Sequence, residues 1–401
     1  MTLQPRFIQI HSLHSYPAAL LNRDDAGLAK RLPLGNAVRT RISSQCLKRH
    51  WRIAEDRFAL STLDVPMAVR SRGTLELIRK RIIEAGVSEP LAQAAVEAMR
   101  KAGLVDSAGK ERAGEDALKT GQAVLMGKAE IDYLVFQCTE LAKEVADEKA
   151  LRAAVAQRLK DEKKNIQVLK HGSGLESALF GRMVTSDVLA SRDAAVYVAH
   201  AFTVHEAQVE NDYFTVVDDL LQDSGELGSA GIFDTELASG LYYGYVVVDI
   251  PQLVENLEAI ERKCCFADST SPEKRALAGK VVEHLLHLIA TVSPGAKRGS
   301  TAPFDWAKFM LVEAGDWQPR SLAGAFQDAL PLAPRDAGAG AIRARAVDRL
   351  RDEITKMDEA YGATLARRFL ALDPIELPNA QRLNLNDLAN WTASAIEQGA
   401  C

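Results

Sequence analysis

Residues 239–250, SGLYYGYVVVDI, set three tyrosines and three consecutive valines within twelve positions. That density of aromatic and β-branched side chains suits a pleated, buried surface rather than a helix, and a strand of this kind needs partners. RFIQIHSL supplies one through Phe7, Ile8 and Ile10, bounded by Pro5 and by a loop expected to run to Gly35. NAVRTRI supplies a second, with Val38, Thr40 and Ile42 on one face and Arg39 and Arg41 on the other. SALFGRMV and AVYVAHAFTV read as short extended pieces, and WAKFMLVEAG at 306–315 as a further strand.

Helices separate these strands. After Ser43 and Ser44, an apolar stripe of Leu47, Trp51, Ala54 and Phe58 recurs at helical spacing. Ser271 and Pro272 open PEKRALAGKVVEHLLHLIATV, which stops before SPGAKRGSTAP. Residues 60–170 are rich in Ala, Leu, Glu and Lys, punctuated by glycines at 73, 86, 103 and 114, and read as an inserted helical lobe whose last helix runs without a break from Lys128 to Lys164. Stripping this lobe and a polar excursion at 206–239 leaves β-α-β-β-α-β. That is an α+β, ferredoxin-like or RRM-like arrangement, with one sheet face packed by two helices and the other open. Two more helices, near 341–360 and 385–398, are expected to pack outside it.

With 47% hydrophobic and 26% charged residues over 401 positions, the chain is composed like a globular protein. No apolar run approaches the roughly 20 residues needed to span a bilayer, and the start lacks the apolar core of a signal peptide. A cytoplasmic location with no membrane partner is the expectation. The five cysteines are scattered, without a CxxC pair, and read as reduced thiols. Two HxxH pairs, His11 with His14 and His284 with His287, have no carboxylate or cysteine close in sequence to complete a metal site. Neither a metal nor a cofactor is expected.

The net charge of −5 averages unlike segments. Up to Arg52 there are nine basic residues against two acids, a charge of +7, which leaves −12 for the remainder. No acid occurs from Ala26 through Ala54. A basic patch on an acidic body fits a protein that grips a polyanion at one face. Within VRTRISSQCLKRHWR, at 38–52, a basic strand turns into a helix. The first turn of a helix leaves N–H groups unpaired at the positive end of the macrodipole, which attracts an anion. Ser43 or Ser44 can cap that turn or bond a phosphate oxygen, Gln45 adds an amide, and Lys48, Arg49 and Arg52 add charge.

These residues belong to a wider pattern. LNRDD at 21–25, VRTRISSQCLKRHWR, ALFGRMVTSD at 178–187, AHAFTVHEAQVENDYFTVVDDL at 199–220, SGLYYGYVVVD and PGAKRGSTAPF at 294–304 together resemble the CasC-type backbone subunit of the type I-E CRISPR Cascade complex, within the RAMP superfamily. The resemblance implies a hand-shaped subunit. Its palm would comprise 1–59, 171–205 and 240–401 with the C-terminal helices, its helical fingers 60–170 and its thumb hairpin 206–239. It also implies partners: the CRISPR guide RNA, target DNA, further copies of the same chain, and the large, small, guide 5′-end-capping and guide-processing subunits, with a helicase-nuclease recruited indirectly.

The family's guide-binding positions fall on Arg23, Lys30, Ser43, Gln45, Lys48, Arg49 and Arg52. Contacts of this type hold backbone and fix register without reading sequence. Met183 matches a methionine that wedges beside guide bases; without the resemblance it reads as a core methionine at a strand end. Tyr213, Phe214 and Thr215 match thumb positions at a kinked nucleotide, Tyr213 standing where the family carries a tryptophan. Lys297 and Arg298 lie in a Gly-flanked loop similar to one found across the superfamily. Lys160, Lys163, Lys164 and Lys170 face either target DNA or solvent.

Relatives on this fold include RNA endonucleases acting on CRISPR RNA or target RNA. His200, His205, Asp218 and Asp219 are the groups that could serve such chemistry, since cleavage without a metal needs a general base near a ribose 2′-OH. A guide scaffold that cut its own guide would defeat itself, so the expectation is a protein that is not an enzyme.

Overall fold

The computed structural model describes residues 3–102, 118–120, 123–145, 147–162, 173–183, 191–217, 229–333, 341–362 and 365–401. It is a mixed α+β structure of two units. Met1–Ala59, Tyr197–Ile250 and Arg275–Cys401 form one, and Leu60–Val196 with Pro251–Lys274 form the other.

The first unit is built on a large sheet. Its strands are β1 (Phe7–Ala19), β2 (Arg31–Leu34), β3 (Ala37–Ile42), β6 (Val196–Val198), β7 (Ala201–Thr203), β8 (Gln208–Val217), β9 (Ser229–Asp249), β10 (Phe309–Gly315), β11 (Ala366–Ala371) and β12 (Ala380–Arg382). The sheet path runs β12-β11-β10-β1-β9-β7-β3-β2. The tyrosine- and valine-rich run forms the strand its composition predicts, pairing antiparallel with β1 from Phe7↔Asp249 to Tyr16↔Gly240, and it lies inside the sheet between β1 and β7. β9 also reaches back to Ser229 and pairs with β8, which makes a long hairpin of the excursion.

Because side chains alternate along a strand, the register defines two sheet faces. Ser12, His14 and Tyr16 share one face with Tyr242, Gly244 and Val246, and surround a small cavity together with Leu47, Trp51, Ile289 and Val292. Leu47 and Trp51 come from α1 (Ser44–Arg52), Ile289 from α8 (Glu273–Thr291) and Val292 from the residue after it. The opposite face carries Leu13, Leu241, Tyr243, Phe309, Leu311 and Phe369. These form one core with Leu322, Phe326 and with Ala346, Val347, Leu350 and Ile354 of α10 (Ile342–Tyr361). The face expected to be open is therefore covered. On that same face, a buried network joins His11, Glu313, Arg320, Arg367 and Asp358. The last helix, α11 (Leu385–Gln398), receives Arg275 of α8 at the carbonyls of Ile396 and Glu397.

In the second unit, α2 (Thr74–Glu84), α3 (Glu89–Lys101), α4 (Lys128–Glu144) and α5 (Glu148–Asp161) share a core around Ile78, Ala95, Leu134 and Leu151. A two-stranded ladder, β4 (Ala68–Ser71) with β5 (Val124–Gly127), lies in the same unit. The expected single helix from Lys128 to Lys164 is broken at Val145, and Asp147 restarts it by accepting the Ala150 N–H. α6 (Leu175–Phe180) replaces an extended SALF, and α7 (Ile250–Glu258) follows β9. Lys163, Lys164, Lys170, Asp218 and Asp219 lie outside the described residues.

The amino-terminal region departs from expectation in three places. The loop expected to run to Gly35 contains β2, which pairs with β3 from Arg31↔Thr40 to Leu34↔Ala37. Gly35, with φ +59°, and Asn36 form the two-residue turn; any Cβ at 35 would meet the Gln327 carbonyl. Helix α1 ends at Arg52, so Ala54 and Phe58 are not on its stripe. Phe58 instead stacks on His287, and its carbonyl accepts from His284. Arg39 is fully buried, donating to the carbonyls of Thr203 (2.9 Å) and Phe326 (3.1 Å). It belongs to the core, not to the basic face.

Candidate nucleic-acid interface

Helix α1 starts as its sequence implies. Ser43 has extended backbone angles and its Oγ accepts the Cys46 N–H, so it is the cap, and the first turn holds no acid. The Ser43 N–H donates to Asn22 Oδ1 at 2.8 Å, which ties the helix start to the loop at 22–30. That loop closes on itself: Lys30 N–H donates to the Asn22 carbonyl, and Asp24 Oδ1 accepts from the N–H groups of Ala26 and Leu28. Its far end meets β3, where Arg41 N–H donates to the Lys30 carbonyl at 2.7 Å. Arg23 and Lys30 are thereby carried on a folded loop beside the helix.

The loop at 293–305, which contains the short helix α9 (Arg298–Thr301), is pinned at its ends, where Ser293 Oγ donates to the Asp305 carbonyl and accepts the Asp305 N–H. Ala296 N–H donates to the Leu20 carbonyl. Arg298, Arg49 and Lys30 are all close enough to the Cys46 thiol to act on it electrostatically, though burial is the larger influence and raises its pKa. The same Arg49 and Arg298 lie near His50, whose pKa burial lowers. Three cations from three separate chain segments thus converge on the first turns of α1.

Arg41 extends this patch. Its Nη1 donates to Nδ1 of the exposed His200 at 3.2 Å, which leaves the ring proton on Nε2 in the neutral form. Burial, then Arg41 and Lys30, hold the His200 pKa below its ordinary value. Among the described residues, no carboxylate is paired with Lys30, Arg41, Arg49 or Arg298 within salt-bridge distance. Gln45 is exposed at the helix start, while Lys48 and Arg52 are half-buried. The Lys48 ammonium has its pKa lowered by burial.

The hairpin adds aromatic surface. Tyr213 is 63% exposed, and Phe214 stacks on its cross-strand partner Phe233 with centroids 5.6 Å apart. Thr215 is exposed beside them. Lys297 lies 5.2 Å over the Phe214 ring while donating to Thr235 Oγ1, so the Gly-flanked loop and the hairpin meet. Met183, in the second unit, is 95% exposed, which removes the reading of a core methionine.

Sequence reasoning placed Arg41 in the basic stretch without giving it a contact of its own, and it missed Glu236. The acid-free run from Ala26 to Ala54 was a signal for Arg41. Nothing local pointed to Glu236, whose partners lie more than two hundred residues away.

The groups weighed for cleavage chemistry are disposed differently. His205 is buried, its Nδ1–H donating to the Glu206 carbonyl (2.7 Å) and its Nε2 accepting the Leu241 N–H (3.1 Å), so both ring nitrogens are occupied by backbone. His200 faces cations, and among the described residues no carboxylate acts on it. Of the HxxH pairs, His11 bonds Tyr243 and Glu313 within the core network. Among the described residues, no cluster of three or more His, Cys, Asp or Glu side chains is arranged to hold a metal ion, and no helix is long and apolar enough to cross a membrane.

A chain of a solved structure described as a CRISPR RNA-guided surveillance complex, pre-nicking, is 26% identical with a TM-score of 0.77, over 97% of this chain and all of that one. A chain of a second, described as a CRISPR RNA-guided surveillance complex, shares the fold with a TM-score of 0.68 at 24% identity, over 97% of this chain and 99% of that one. No curated protein matches. The profile of the CT1975-like proteins matches residues 8–394. The chain belongs to the CT1975-like protein family.

Proposed function

We infer that this protein is a backbone subunit of a type I-E, Cascade-type CRISPR RNA-guided surveillance complex, and that several copies line up along one guide RNA in the cytoplasm. The observation that carries the reading is the convergence of Lys30, Arg49 and Arg298 on the start of α1, extended by Arg41 and His200, with no carboxylate among the described residues to neutralise them. Such a patch holds phosphates and sugars without regard to base identity. The family membership and the likeness to a chain of a surveillance complex support the same reading.

In this reading the four strands ordered β10-β1-β9-β7, with α1 and α8 on one face, are a ferredoxin-like palm. The helices from 60 to 170 are fingers, and the β8–β9 hairpin is a thumb. Arg23, Lys30, Ser43, Gln45, Lys48, Arg49 and Arg52 hold the guide backbone together with Lys297 and Arg298. Tyr213, Phe214 and Thr215 meet it at the thumb, and Met183 beside its bases. The subunit presents the guide for pairing with target DNA, contacts the other Cascade subunits, and leaves cleavage to a recruited helicase-nuclease.

Co-expression with a CRISPR array and the remaining subunits, followed by native mass measurement, tests this. The expected particle holds several copies of the chain and one RNA of defined length. A particle without RNA, or with a single copy of the chain, would overturn the reading.

A further inference from the structure

A carboxylate sits inside the cationic region. Glu236 of β9 is almost fully buried, and its Oε1 accepts the Ala29 N–H at 2.8 Å while Oε2 is paired with Arg31. Ala29 belongs to the loop that carries Arg23 and Lys30 and that is anchored at Asn22 to Ser43 and at Lys30 to Arg41. Its middle is fastened to the hairpin strand through Glu236. The neighbouring Thr235 fastens Lys297, and with it the Gly-flanked loop, to the same strand. Two cation-bearing segments therefore take their position from two successive residues at the base of the hairpin.

On charge alone Glu236 opposes the proposed activity, because a negative group near a phosphate backbone repels it. A buried carboxylate among these cations needs a compensating role, and the bonds it makes to the Ala29 N–H and to Arg31 supply one. We propose that Glu236 is a positioning residue for nucleic-acid binding, a latch that holds the loop of Arg23 and Lys30 against the β8–β9 hairpin so that loop and hairpin engage the RNA as one unit. This rests on the guide-binding reading above.

Two mechanisms make opposite predictions for one substitution. If Glu236 acts only through charge, Glu236→Ala tightens RNA binding and frees Arg31 as an extra cation. If it is a latch, Glu236→Ala releases the loop and weakens binding by about ten-fold, the scale of a lost buried hydrogen bond. Glu236→Gln keeps an acceptor for Ala29 and removes the charge, so it binds as well as wild type or better.

The experiment is fluorescence anisotropy of the full chain with a labelled single-stranded RNA, alongside amide hydrogen exchange. The latch requires a protected Ala29 amide in wild type and in Glu236→Gln, and exposure of that amide in Glu236→Ala. Equal or tighter binding by a folded Glu236→Ala overturns the proposal. Should Glu236→Ala not fold, fast exchange at Ala29 in the wild type or in Glu236→Gln overturns it instead. If wild type binds no RNA, the functional reading fails, while the exchange pattern still decides whether the latch exists.

Discussion

Neutralising the three cations around Cys46 should change how binding responds to salt more than any other property. Lys30, Arg49 and Arg298 come from a loop, a helix and a second loop, and no carboxylate among the described residues competes for them. The triple variant Lys30→Gln, Arg49→Gln, Arg298→Gln puts shorter neutral polar side chains in place of the cations, and because Arg49 and Arg298 are exposed it leaves the buried face of α1 unchanged. Each phosphate contact on a single strand contributes about −0.7 to the slope of log affinity against log salt, so losing three flattens that slope by about 2. Between about 50 and about 200 mM salt, wild type should then lose roughly 20-fold more affinity than the variant. Anisotropy titrations across that range, with two RNAs of unrelated sequence, measure it. Both RNAs should give the same slope, because backbone contacts carry no sequence information. An unchanged slope in the triple variant, or an effect confined to one RNA, would refute the placement of the phosphate backbone at this patch.

Tyr213→Ala with Phe214→Ala should weaken RNA binding by about 1–3 kcal/mol per stacked base while leaving the salt slope intact, the reverse signature in the same assay. His200→Gln should remove a pH dependence. A nearby phosphate favours the protonated ring, so wild-type affinity rises as pH falls through the lowered His200 pKa, and the variant's affinity stays flat. Glu313→Gln should destabilise the fold by about 3–5 kcal/mol in urea unfolding, because Arg320 and the buried Arg367 lose a charged partner. His11, Arg320 and Arg367 hold the Glu313 carboxyl well below the usual range against the opposing effect of burial. Its contribution is thus present above the unfolded carboxyl's pKa and lost only as pH falls toward the depressed value. Wild type should keep its advantage over the variant down to mildly acidic pH.

What was legible in the sequence was local. The central strand, the capped helix at Ser43 and the long helix after Pro272 are each announced by composition or spacing within a dozen residues. What was not legible depended on distant partners. Arg39 looks like a surface cation in an alternating strand, yet carbonyls 164 and 287 residues away accept from its two Nη groups in the core. β11 escaped notice for the same reason: ARRFLA carries two consecutive arginines, and only the meeting of Arg367 with Glu313 and Asp358 makes it an interior strand. Alternation gives the parity of a strand but not which parity is buried, since a charged residue can occupy the core when its counter-groups arrive from elsewhere. The acid-free run to Ala54 marked a basic region, while long-range packing put Arg39 into the core and left Arg41 beside His200.

Coverage of the second sheet face bears on how such a protein holds nucleic acid. An RRM-like sheet with an open face stacks bases on its own aromatic residues, which favours base-edge contacts and hence sequence preference. Here the candidates for that role, Tyr243 and Phe309, lie beneath α10 in the core, and Tyr243 accepts the Leu322 N–H. In the proposed reading, nucleic-acid contact falls instead at the sheet's edge, where β2, β3 and α1 present cations, and at the hairpin, where Tyr213 and Phe214 offer aromatic faces. Cations bind phosphates, and aromatic faces accept any base. A chain that must hold guides of every sequence gains from such an arrangement, because the surface best suited to reading bases has been spent on folding.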